Sequence, residues 1–480
     1  MSFSFPKAHA DKLEFLIDAQ AYYSRFARAL ELAQEKVVMV GWNVDSRTSW
    51  VDPQTGQRIK LSTHIRRCLQ ANPKLHIYIL CWDFNSFVGK NREWWPYYRP
   101  EAWGQRVHFQ KDFFHPLLSS HHQKIVLIDD QLAFVGGFDF CEGRWDTPEH
   151  RPIDRERVNS KGKHYSAFHD VQSLVQGPVV QDLVEVVTGR WLKASGNELK
   201  SSVKINSDLN QLFEKNNSIL RDCSVQVCLT QPEFQQQKPL RENLRATIEL
   251  LKSAKKYIYI ENQYFTHTRL VKVLLQVLKT RSGPEVILVL PRSSHDKFEE
   301  YTIGITQRRA LNFLKQNDYW NRLRVCYPRL EASDQHRLYV HSKLLIVDDC
   351  FVKIGSTNLN HRSMSFDTEC DLLIAAHEEE QKKQIHSFRN QLLSEHLDTS
   401  SKVLECQEAR GYSLLQMIDE RSKKPRSLQE WPDGLRWFEW FLWSQEPWFD
   451  RRKPLFKLQS SAFSIKNLLR RTGSAPSVDF

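Results

Sequence analysis

Two copies of one polar pattern sit in the same chain, His122-x-Lys124-x4-Asp129 within HHQKIVLID and His341-x-Lys343-x4-Asp348 within VHSKLLIVD. Side chains alternate between the faces of a strand, so His122 and Lys124 point to one side, as do His341 and Lys343, and both pairs can enter one cavity. A single His-x-Lys says little, because a lone histidine on a strand is more often a core or surface residue than a catalyst. The repeat says more: Gly136 and Gly355 each follow their histidine by 14 positions. A chain that writes this frame twice is expected to fold as two similar halves.

His341 follows His122 by 219 positions, and the correspondence runs beyond the motif. The buried-strand pattern Val37 to Trp42, preceded by YYSRFARALELAQEK, matches Tyr257 to Asn262, preceded by ENLRATIELLKSAKK. With the 219-residue offset of the motif, Ser356 and Asn358 of IGSTN fall on Gly137 and Asp139 of VGGFD, and Glu369 falls on His150. LHIYILCW and EVILVLP read as further buried strands flanked by helices. Alternating helix and strand predicts an α/β fold of two similar α/β/α sandwich lobes about a pseudo-twofold axis, with one histidine from each at their interface. The expected lobes cover 1–205 and 206–400, and 401–480 forms an aromatic and basic C-terminal extension without counterpart. Residues 199–240, rich in Asn, Gln and Ser, read as the join, with a strand at Cys223 to Leu229.

At 480 residues, 41% hydrophobic and 26% charged, the chain is long enough for two cores and ordinary for a globular enzyme. Its net charge of +11 suits an anionic partner, either nucleic acid or acidic lipid. No stretch approaches the roughly 20 apolar residues that span a bilayer, and MSFSFPKAHADKLEF lacks the basic-then-apolar design of a secretory signal. The expectation is a cytoplasmic protein. Nine cysteines without paired zinc spacing fit a reducing compartment, and Cys223 and Cys228 read as buried thiols.

A neutral imidazole is a good nucleophile toward phosphorus, and a protonated one donates to a leaving alkoxide near neutral pH. One histidine can therefore attack while the other protonates. Lys124 and Lys343 would neutralise nonbridging phosphate oxygens, and Ser356 and Asn358 would add neutral hydrogen bonds to the same oxygens. No carboxylate and histidine grouping has evident metal-ligand spacing, so no metal or cofactor is expected.

The doubled motif, GSTNLNHRSMSFDTE after its second copy, and the order of elements resemble the phospholipase D superfamily over about residues 20 to 395. GGFDFCEGRWDTPEH, AFHDVQSLVQGPVVQDL and IYIENQYF are similar to its eukaryotic-like branch. The resemblance implies hydrolysis of a glycerophospholipid headgroup phosphodiester through a covalent phosphohistidine, with His122 as nucleophile and His341 as the acid that later activates water. It carries Asp129 and Asp348 over as motif members in a supporting role, and Glu369 as the carboxylate that orients a histidine. A phospholipid at a membrane surface is the expected partner, nucleic acid is not, and a monomer suffices because both motifs share one chain. Trp437, Trp440, Trp443 and Trp448, followed by Arg451, Arg452 and Lys453, offer either a membrane contact or packing on the core. A cardiolipin synthase-type phosphatidyl transferase, a nuclease and an inactive lipid-binding scaffold are the rival readings. Delivery as an effector is compatible with the sequence.

Overall fold

Each motif copy forms the first strand of a hairpin at the centre of its half. In the computed structural model, which describes residues 8–83, 106–201, 205–213, 219–293 and 303–432, Ile125–Ile128 pairs with Leu132–Gly136 and Leu344–Val347 pairs with Phe351–Gly355, all antiparallel. Apart from Lys353, these short strands are apolar and almost wholly buried on both faces, which is why they read as nearly continuous hydrophobic runs rather than alternating ones. Each hairpin turns through two consecutive aspartates with positive φ, Asp129 and Asp130 at 49° and 54°, Asp348 and Asp349 at 55° each. Tight hairpin turns of this hand need positive φ at both central residues, and Asp tolerates it better than most residues.

The halves repeat one strand order. Across the first, neighbours run Val107–Asp112, His76–Trp82, Lys36–Gly41, Ile125–Ile128, Leu132–Gly136, Val171–Gln176 and Ala8–Ile17. The second repeats it with Leu323–Arg329, Glu285–Val289, Tyr257–Glu261, Leu344–Val347, Phe351–Gly355, Glu369–Ala375 and Ile219–Gln231. The last strands of the two series pair antiparallel, Lys12 opposite Arg221, so both halves share one mixed 16-stranded sheet. Among the described residues, Ser427–Glu430 extends the second half's outer edge.

Helices cover both faces. Val179–Ser195 and Glu379–His396 lie against a core that draws residues from both halves. On the other face Asp18–Leu32 and Leu61–Ala71 cover the first half, and Glu242–Ser253 and Thr268–Lys279 the second. The expected α/β/α layering is present, and the join Ile219–Gln231 is a 13-residue strand, longer than the sequence pattern suggested. Ala8–Ile17 had no strand signal, because Asp11, Lys12 and Glu14 interrupt the pattern. Glu14 nevertheless sits buried there, its carboxylate accepting from the Arg25 guanidinium at 2.7 Å. Cys223 and Cys228 are buried free thiols. The Trp437 to Lys453 segment lies outside the described residues.

Candidate active site

The two motif histidines are each held by the opposite half. His122 Nδ1 lies 2.9 Å from Glu369 Oε2 and 3.1 Å from the Ser356 carbonyl, while its backbone N–H donates to the Thr368 carbonyl at 2.9 Å. His341 Nδ1 lies 2.6 Å from Asp170 Oδ2, and its backbone N–H donates to the His169 carbonyl at 2.8 Å. The strand Leu338–Val340 runs parallel to Ala167–His169 and fixes that second crossing. The Ser356 carbonyl can only accept, so Nδ1 of His122 carries the proton and Nε2 keeps its lone pair.

Asp170 was missed by the sequence reading, which placed His150 opposite Glu369. Strand register corrects this: Gly136 pairs with Gln172 and Gly355 with Asp371, so 36 residues separate those partners in the first half against 16 in the second. A 20-residue longer connection therefore breaks the constant offset after Gly136, and the carboxylate equivalent to Glu369 is Asp170. The order of the returning strand and the helix after it, VQSLVQGPVV against CDLLIAAHEE, was the available signal. The glycine step serves this packing. A side chain at Gly136 would meet the Val171 carbonyl at 2.6 Å, and one at Gly137 would collide with the Asp170 carboxylate.

The motif lysines fold back beside their histidines, Lys124 Nζ donating to the His122 carbonyl at 3.0 Å and Lys343 Nζ to that of His341. Their other partners differ. Lys124 forms an ion pair with Asp139 at 2.9 Å, whereas Lys343 reaches Gln263 Oε1 at 3.4 Å. Asn358, the counterpart of Asp139, also approaches Gln263 Oε1, at 3.5 Å, and its own buried Oδ1 has no hydrogen-bond partner among the described residues. Gln263 is a further residue that the motif reading did not single out. Ser356 departs from expectation: its hydroxyl donates to Glu369 Oε2 at 2.5 Å rather than facing a phosphate position.

Asp129 and Asp348 are not brought to this site. Asp129 accepts backbone N–H bonds from Gln34, Glu35 and Lys36 at 2.8–2.9 Å, at the start of the strand Lys36–Gly41. Lys124 belongs to the other end of that strand, where Asp139 accepts from the Trp42 N–H at 2.9 Å. Asp348 likewise accepts from the N–H groups of Lys255, Lys256 and Tyr257, each at 2.8 Å. The third motif position is thus a cap that ties the hairpin turn to the start of the adjacent strand.

Burial and the lysines keep the histidines uncharged: burial, Lys124 and Lys343 hold His122 well below its usual range, and burial, Lys343 and Arg144 do so for His341. The orienting carboxyls are not equivalent. Burial raises Asp170 to about 6 and lifts Glu369 well above the carboxylate range. Burial also lowers Lys343 to about 7. Asp139 opposes its own burial through Lys124 and His122 and stays below the usual range.

Behind the His341 pair lies an ionic lattice. His150 Nδ1 is 2.8 Å from Asp146, and its Nε2 is 2.7 Å from Glu395 and 3.3 Å from Asp18. His169 Nδ1 meets Glu395 at 2.8 Å and Asp18 at 3.0 Å, and its Nε2 meets Glu261 at 2.9 Å. His396 Nε2 and the Ser342 hydroxyl reach the same Glu261, at 3.0 and 2.7 Å. Asp18, His150, His169 and Glu395 are spaced closely enough to bind a cation. Both ring nitrogens of His150 and His169 nonetheless face carboxylates at hydrogen-bond distances, which suits doubly protonated imidazolium better than a ligand lone pair. Burial disfavours that charge on His150, but Asp18, Asp146 and Glu395 overcome it and raise the group to about 10.

Family models match both halves, one described as phospholipase D over residues 101–269 and one as cardiolipin synthase, PLD-like domain, over 247–392. Phospholipase D A of Dictyostelium discoideum is 24% identical over 442 residues, an alignment covering 78% of this chain and 34% of that protein. Phospholipase D alpha 1 of Ricinus communis is 23% identical over 508 residues, covering 77% and 63%. The chain therefore spans from about a third to under two-thirds of the length of these relatives. Phosphatidylserine synthase of Haemophilus influenzae shares the fold at a TM-score of 0.56 and 15% identity, covering 86% of this chain and 97% of that structure. Repeated sequence, repeated sheet order and these similarities lead to one assignment: the chain belongs to the phospholipase D superfamily.

Proposed function

We propose that this protein cleaves the headgroup phosphodiester of a glycerophospholipid, leaving phosphatidic acid and a free alcohol. The observation that carries this reading is the crossed pair of histidine–carboxylate contacts, which occupies both Nδ1 atoms and leaves both Nε2 atoms for chemistry. Nε2 of His122 attacks phosphorus as the bond to the headgroup oxygen breaks, and the leaving alkoxide takes its proton from Nε2 of His341. The resulting phosphohistidine is released when His341 removes a proton from water and the hydroxide displaces His122. Lys343 and Lys124 hold the nonbridging oxygens through both steps.

The inequality of the orienting carboxyls supports this division. Asp170, raised only to about 6, ionises near neutrality and can stabilise an imidazolium at His341, whereas burial keeps Glu369 beside His122 far less acidic. A seated phosphodiester anion would offset the lysine field that keeps His341 neutral. Asp129 and Asp348 act as structural supports and Ser356 orients Glu369. The protein works as a single chain at a membrane surface on the cytoplasmic side. Among the described residues no helix is long and apolar enough to cross a bilayer.

The match over residues 247–392 to a model described as cardiolipin synthase favours a second reading, transfer of the phosphatidyl group to a lipid alcohol through the same intermediate. Purified protein incubated separately with phosphatidylcholine, phosphatidylglycerol and single-stranded DNA separates these readings and a nuclease. Headgroup release from lipid is expected, with ethanol or butanol diverting product from phosphatidic acid to the phosphatidyl alcohol. His122→Ala and His341→Ala should each lose at least about 100-fold in turnover. Either variant retaining more than about a tenth of wild-type activity would overturn the two-histidine mechanism.

A further inference from the structure

Arg144 leaves the same strand end as Asp139, and its guanidinium lies over the Phe168 ring at 4.4 Å from the centroid. That ring packs 5.3 Å from the His341 imidazole and 6.0 Å from the Tyr339 ring. Among the described residues Arg144 makes no hydrogen bond and no ion pair, although it is half-buried. Its neighbours are provided for: Arg157 binds Asp146, and Arg47 binds Asp45. A stacked guanidinium is held by its face and keeps its edge N–H groups free for an anion.

Charge in the pocket points the same way. Lys124 is already neutralised by Asp139, and Lys343, which forms no ion pair among the described residues, is lowered to about 7 by burial. Two lysines therefore leave the pocket without one permanent unpaired cation, while an arginine remains charged at any physiological pH. The Arg144 charge reaches His341 and Lys343, which act on the phosphate in the proposed mechanism, and also Asp170 and Asp139, their supporting carboxylates.

We propose that Arg144 is a third phosphate-binding cation of this site, seated on Phe168 beside His341, where its guanidinium takes a nonbridging oxygen of the bound phosphodiester. This rests on the phosphodiesterase reading above, and it adds a permanent charge where the phosphoryl group gathers negative charge in the transition state. The competing account is a solvated arginine that only covers Phe168.

Three measurements on the full chain decide between them. Arg144→Gln and Arg144→Lys are compared with wild type for kcat/KM on a dispersed short-chain phosphatidylcholine, for inorganic phosphate affinity by calorimetry, and for the pH profile. Losing a charged hydrogen bond to phosphate predicts a fall of about tenfold or more in kcat/KM and in phosphate affinity for the Gln variant. Removing a cation near His341 also moves the limb of the profile that reports His341 to higher pH. The Lys variant keeps that limb and recovers part of the affinity. Kinetics and phosphate affinity within twofold of wild type for the Gln variant would overturn the assignment. Should the Gln variant fail to fold, the Lys variant decides: several-fold weaker phosphate binding at an unshifted pH limb supports the proposal, and unchanged binding sinks it. If wild type cleaves no phosphodiester, the phosphodiesterase reading fails by itself and phosphate affinity still tests Arg144.

Discussion

Asp170→Asn separates the cost of the His341 pair from its use. Asp170 is fully buried and accepts from His341 Nδ1 at 2.6 Å, and burial lifts its carboxyl from an ordinary 3.8 to about 6. A folded-state value above the unfolded one means that folding favours the protonated acid. That stability is fully present below about pH 4 and is lost as pH rises through about 6. The shift of about 2 units corresponds to roughly 3 kcal/mol. Asparagine mimics the protonated acid, so urea unfolding should show the variant gaining about 3 kcal/mol relative to wild type between pH 4 and pH 8. Over the same range its turnover should collapse. An amide cannot stabilise imidazolium and can reverse the tautomer, an effect of about 10,000-fold where an aspartate orients a catalytic histidine. The assay is choline release from dispersed short-chain phosphatidylcholine at pH 7.5. Turnover within about tenfold of wild type would refute His341's dependence on Asp170. Absence of any pH-dependent drift in relative stability would refute the stated cost of ionising the buried carboxyl.

The remaining predictions concern parts of the motif and its surroundings that are structural. Asp129→Ala removes the acceptor of three backbone N–H groups and of the Asn206 amide at 2.7 Å, so stability should fall by about 3–5 kcal/mol while the folded fraction keeps kcat near wild type. A folded, stable variant with kcat lost would instead place Asp129 in the chemistry. His150, raised to about 10, contributes stability that is complete below its ordinary 6.5 and disappears as pH rises through about 10. Wild type should therefore lose urea resistance steeply over that alkaline interval, and His150→Gln should be weaker at neutral pH with a flatter alkaline slope; parallel slopes would contradict a protonated His150. Gly136→Ala meets the Val171 carbonyl at 2.6 Å and should unfold at lower urea, and unchanged stability would mean that the two strands can separate without loss.

The duplication, the layered α/β architecture, the buried strands and the two histidine–lysine pairs were legible because each is written locally: a repeated spacing, a period-2 face, a run of apolar residues. Glu369 was reachable because the second half has a short return from Gly355. Its partner was hidden by length: 20 extra residues before Val171–Gln176 moved the equivalent carboxylate to Asp170 and left His150 at the constant offset. Local pattern also cannot say where a polar side chain is spent. Spacing places Asp129 and Asp348 in the motif without saying what they support; backbone N–H groups some 90 residues away in sequence claim their oxygens. Ser356 turns to Glu369 for the same reason, since a buried hydroxyl takes the nearest strong acceptor. The charged strand Ala8–Ile17 became central only because Ile219–Gln231 and Val171–Gln176 pair on either side of it and Arg25 neutralises Glu14. Spacing along the chain therefore determined which groups were available for chemistry. The crossing of two halves through one sheet decided which carboxylate faces which histidine, because those contacts join residues 171 and 247 positions apart.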